Sequence, residues 1–134
     1  MNKIIYEFDP VIYPTRVWVG VNVPFEYVKD KFYALDSDME RGEITLSEYK
    51  PKPSVIARTY VVANKESCFL GTLVIIWRPI NFNIKSICHE SVHCADFICE
   101  QFGIKTGDFD DGEPYAYLIG WIAECIDKVK RNKI

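Results

Sequence analysis

The chain has 134 residues, 49% hydrophobic, 14% aromatic and 26% charged, with a formal net charge of -3. This length and balance specify a single soluble domain, 1–134, with its own core, and exclude a disordered chain. The charge offers no basic surface for nucleic acid or an anionic membrane, and the longest apolar run, LVIIW at 73–77, is too short to span a bilayer.

The segments 3–8 and 16–22 (RVWVGVN) read as strands separated by a proline-containing turn at 10–14. After Pro24 the period changes: Phe25, Val28, Phe32 and Leu35 fall on one face of a helix that tolerates the proline in its first turn. Residues 36–54 are polar, with room for a short strand near EITLSEY, and form either a solvated loop or a flap over a cleft. The runs SVIARTYVVA and CFLGTLVIIW flank NKES and predict a β-hairpin, whose second strand is apolar enough to be covered on both faces.

Asn83 is the expected N-cap of a helix from Ile84 to Phe102, with Phe82 stapled on Ile87 and Gly103 as the stop. A last helix begins near Glu113-Pro114 and ends in the basic DKVKRN. The order β-β-α-loop-β-β-α-α specifies an α+β fold, with a mainly antiparallel sheet of about four strands packed on three helices. The intervening Asp108, Asp110 and Asp111 miss the spacing of a calcium loop and read as a solvated segment that caps the last helix.

The helix at 84–102 carries CHESVHCADF, which holds both histidines of the chain. His89 and His93 are one turn apart, so both imidazoles lie on one face and suit one metal ion. Glu90 is offset by about 100°. It is thereby placed to take a proton from a metal-held water rather than to ligate. The neighbouring cysteines do not face the histidines, because adjacent helical residues diverge. Five cysteines without a C-x-x-C pair, and an N-terminus lacking the apolar stretch of a secretory signal, read as reduced thiols in a cytoplasmic protein.

A catalytic zinc needs a third protein ligand. Glu113 lies 20 residues after His93, enough for the first helix to end and a second to return. Glu113, Tyr117, Gly120 and Glu124 share one stripe of that second helix, opposite Leu118, Ile119, Ile122 and Ile126. Gly120 suggests close helix approach, Glu124 is the rival ligand, and Asp96 is a candidate to orient His93. Tyr117, Tyr115 or Arg78 are the available oxyanion donors.

HESVH followed by EPYAY resembles the gluzincin arrangement of metallopeptidases, and the compact size is similar to the ImmA/IrrE-like and other minimal zincins. The segments also resemble small HExxH proteins of phages and mobile elements in Bacteroides-type bacteria, over about residues 68–126. The resemblance implies a zincin-like domain in which His89, His93 and Glu113 hold zinc and Glu90 is the general base. Position 117 departs from the thermolysin-like pattern, which has an aspartate there. Two functions follow as expectations: a zinc-dependent peptidase acting on a protein or peptide, with a strand within 68–77 beside the metal helix to pair with substrate, or a non-enzymatic phage-type protein that uses the scaffold to bind a host partner.

Overall fold

The computed structural model describes residues 4–50, 52–107 and 112–132. Asp108, Asp110 and Asp111 lie outside the described residues. The strands are β1 (Ile5–Phe8), β2 (Arg16–Val21), β3 (Phe32–Leu35), β4 (Arg41–Glu43), β5 (Ala57–Asn64) and β6 (Leu70–Ile76). The α-helices are α1 (Phe25–Lys31), α2 (Leu46–Tyr49), α3 (Ile84–Phe102) and α4 (Glu113–Lys130). The fold is α+β, as expected, but the sheet has six strands in the order β1-β2-β6-β5-β3-β4 rather than about four. It is mixed, because β2 runs parallel to β6 while the other pairs are antiparallel.

Alternation along the central strands separates two cores. Val17, Val19, Val74 and Ile76 face α3 and α4. Trp18, Val62, Leu73 and Ile75 face the other way, against Val28, Ile44 and Tyr49. The apolar end of the second hairpin strand is thus covered on both faces, and β6 is buried from Gly71 to Ile76. Gly71 permits the parallel neighbour: a Cβ there would stand 2.1 Å from the Arg16 carbonyl oxygen.

The helix expected from Phe25 to Leu35 stops at Lys31, and Phe32–Leu35 continues as β3. Two turns of isolated helix have little stability of their own, whereas β3 gains pairing with β5 on one side and β4 on the other. Phe32 is buried in either scheme, so its period did not discriminate between them; here it meets Trp18 edge-on, ring centroids 5.0 Å apart.

Residues 36–50 are more ordered than a loop. Thr45 and Glu48 form a capping box that starts α2. The Tyr49 hydroxyl donates to the Val23 carbonyl at 2.6 Å, and its ring packs on Phe25, Tyr60 and Trp77. These contacts lie on the sheet face opposite α3. The segment is therefore a wall of the second core, not a flap, although residues at its two ends reach the α3 side.

The helix carrying the histidine motif runs from Ile84 to Phe102 as expected. Asn83 Oδ1 accepts from the Ser86 amide at 3.1 Å, and Gly103 ends the helix at φ 68°. Ile87, Cys94, Ala95 and Ile98 are buried on its inner face. α4 returns beside it, with Leu118, Ile122 and Ile126 turned into the same core. Among the described residues no helix is long and apolar enough to cross a membrane.

Candidate metal centre and groove

His89 and His93 project from the exposed side of α3, with their Nε2 atoms 3.2 Å apart. Metal–imidazole bonds of about 2.0–2.1 Å to a common ion subtend about 100° at that separation, close to a tetrahedral angle. The one-turn spacing lets the rings meet, and at 3.2 Å one Nε2 can also donate a hydrogen bond to the other.

Glu90 behaves differently from its neighbours. It turns toward β5 and is only 6% exposed. Thr59 Oγ1 on β5 donates to Glu90 Oε1 at 3.0 Å. A buried carboxylate is costly unless hydrogen-bonded, so Thr59 both satisfies and orients it. One turn further on, Cys94 lies wholly buried beside Thr59 and Thr72, and burial pushes its thiol up to about 12. Cys94 is therefore a neutral packing residue.

A pocket of about 340 Å³ opens between the histidines and β5, lined by Ala57, Arg58, Thr59, Val61, Glu90 and the imidazoles. A second, of about 450 Å³, continues toward the start of α3 past Ile56, Asn83, Lys85 and Ser86, and shares Ala57, His89 and Glu90 with the first. The strand beside the motif is thus β5, not one within 68–77: β6 lies inside the sheet between β2 and β5. β3 pairs with β5 only at Val62, Ala63 and Asn64. Among the described residues, 57–61 consequently have a strand neighbour on one side and an open edge on the other. The Asn64 amide bonds to Phe69 of the hairpin, so strand alternation aims the peptide groups of Ala57, Thr59 and Val61 outward along that edge.

The remaining expected site residues are not brought to the histidines. Tyr115 donates to Asp96 Oδ1 at 2.6 Å, so Asp96 is tied to α4 rather than orienting His93. That bond is the main reason the Tyr115 phenol is pushed up to about 12. With Tyr115 turned to α3, Glu113 two residues earlier points about 200° away around the helix. The Glu113, Tyr117, Gly120 and Glu124 stripe faces solvent: Tyr117 is 76% exposed, and Glu124 pairs with Lys128 at 2.9 Å. Gly120 does not mediate close helix approach, since a Cβ there would meet nothing within 4 Å. The apolar residues of α4 form one continuous face, and burying that face leaves the opposite stripe to water. Among the described residues, no three His, Cys, Asp or Glu side chains are grouped to hold a metal ion.

Two features escaped sequence reading. Thr59 is one polar residue inside a β-rich run, and no local spacing ties it to Glu90, 31 positions away. The orientation of Arg58 is the other: strand alternation turns its guanidinium to the sheet face opposite Thr59, where it donates to the Glu48 carbonyl at 3.3 Å and lies beside the Tyr60 ring. A scan against protein-family models and searches of curated proteins and of solved structures found no match to this chain.

Proposed function

We propose that this chain is a zinc-dependent hydrolase of extended peptides, built on a small zincin-like domain in which His89 and His93 hold the metal and Glu90 is the general base. The observation that carries the reading is the convergence of the two Nε2 atoms at 3.2 Å, at the mouth of a pocket that also contains a buried carboxylate. Zinc, when bound, supplies a Lewis acid that makes a water acidic near neutral pH.

The protein's own groups divide the remaining work. Thr59 occupies Glu90 Oε1, which leaves Oε2 to take a proton from the water and return it to the leaving amine. The open edge of β5 at 57–61 receives an extended backbone by strand addition, which lays a peptide bond past the histidines. Glu113 is the third ligand in this reading, and reaching the pair requires the first turn of α4 to unwind. The Tyr115–Asp96 bond ties that turn to α3.

Elemental analysis of the purified protein tests the reading. About one zinc per chain is expected, lost in His89→Ala and Glu113→Gln and kept in Glu124→Gln. Glu90→Gln is expected to keep zinc and lose hydrolysis. A metal-free protein whose His89→Ala variant behaves identically sinks the proposal.

A second reading, a partner-binding protein without catalysis, is favoured by one observation: Glu113, Tyr117 and Glu124 all face solvent. It predicts that Glu90→Gln still captures its partner and that no protein is cleaved by the wild type.

A further inference from the structure

The two ends of the groove beside α3 carry opposite charges. At the start of α3 its lining cation is Lys85, which has no acidic partner among the described residues. Beyond the histidines the groove continues through Val61 into a space of about 570 Å³ between α3 and the β3–β4 turn. That end is lined by Asp36 and Glu100, with Leu35, Met39 and Phe97 as its apolar floor. Asp36 accepts the amides of Asp38 and Glu40 at 2.9 Å each. The helix dipole of α3 reinforces the contrast, positive near Lys85 and negative near Phe102.

Direction follows from the strand. β5 runs from Ala57, at the Lys85 end, to Val61, at the Asp36 end. Both of its existing neighbours are antiparallel, and antiparallel pairing is the more stable kind. A peptide added to the open edge in that sense has its N-terminal side against Asp36 and Glu100 and its C-terminal side against Lys85. Lys85 and Glu100 are separated by about 22 Å of helix, which an extended chain covers in about six residues.

We infer that the groove selects an extended peptide segment with a basic residue on the N-terminal side of the histidine pair and an acidic residue about six positions later, on the C-terminal side. This rests on the reading that substrate pairs with the β5 edge, and it adds which sequence is taken and in which direction.

The test is binding, by fluorescence anisotropy, of end-blocked labelled peptides to the full-length Glu90→Gln protein, so that cleavage does not intervene. One peptide carries lysine first and glutamate six positions on; the other is its reverse, with identical composition. The lysine-first peptide is expected to bind about tenfold tighter, with the difference shrinking as salt is raised. Lys85→Glu and Glu100→Lys are each expected to erode the preference, and the double variant to invert it. Equal affinities, no binding of either peptide, or a preference untouched by both charge reversals overturns the inference. The assay requires neither zinc nor hydrolysis. A polar preference in a protein that carries no metal therefore retires the hydrolase and keeps the groove, whereas a zinc-loaded, active protein without preference does the opposite.

Discussion

The Thr59 hydroxyl on β5 donates to Glu90 on α3 across 3.0 Å, joining the open strand edge to the one buried carboxylate of the histidine motif. Replacing Thr59 by valine keeps the shape and removes the donor. The carboxylate is then left buried without that bond, which costs about 1–3 kcal/mol. Thr59→Val is expected to lower the urea midpoint accordingly and Thr59→Ser to recover most of it. In the proposed hydrolase, Thr59→Val also lowers kcat more than it raises KM, because the base rather than the peptide edge is disturbed.

The Tyr115–Asp96 bond makes a pH-dependent contribution. The folded phenol is held up at about 12 against an ordinary value of 10.0, chiefly by that hydrogen bond. A group whose pKa is raised on folding stabilises the fold below its unfolded value and loses that contribution as pH rises through the folded value. The stability from Tyr115 is therefore full below pH 10 and lost between pH 10 and about 12. Ultraviolet titration of Asp96→Asn against wild type should show one tyrosine ionising at lower pH in the variant.

The same bond bears on metal binding. If the first turn of α4 must open for Glu113 to ligate, Tyr115→Phe removes a contact that opposes it. Zinc affinity measured by competition with a chelating dye is expected to rise by about tenfold at most, the equivalent of one hydrogen bond. An unchanged affinity in Tyr115→Phe together with lost zinc in Glu113→Gln would show that the bond does not oppose ligation.

The thiols should sort by burial. Cys68 and Cys88 are exposed, whereas Cys94, Cys99 and Cys125 are buried. Burial pushes the Cys94 and Cys125 thiols each up to about 12. A colorimetric thiol reagent at neutral pH is expected to modify two thiols quickly and the rest only on unfolding. Rapid modification of Cys94 in the native protein would contradict its placement beneath the Glu90 pocket.

Gly71 is expected to be intolerant of any side chain. Alanine there drives a Cβ into the Arg16 carbonyl, and the strand cannot move without breaking the parallel β2–β6 pair. Gly71→Ala should cost about 3 kcal/mol or more, read as a lost or strongly lowered thermal transition.

Much of the fold was legible because its signals are local. Asn83 and Gly103 bound α3 through backbone geometry that neighbouring residues set. The NKES turn between two β-rich runs gave β5 and β6. The Thr45–Glu48 capping box was equally local and marks α2, although the polar surroundings hid it. Phe32 shows where such reading ends: both helix and strand bury it, and only pairing with β5 and β4 decides between them.

For the candidate site the division is similar. The sequence by itself determined that His89 and His93 share one face of one helix, because four residues make one turn whatever surrounds them. It also set Glu90 off that face. Only the tertiary structure decided that Glu90 is buried against Thr59, that the open edge beside it belongs to β5, and that Glu113 turns to solvent. Those three outcomes depend on how α3 and α4 rotate to bury their apolar faces on the sheet. Rotation of a helix against a sheet is fixed by packing of residues distant in the chain, and a local spacing does not encode it.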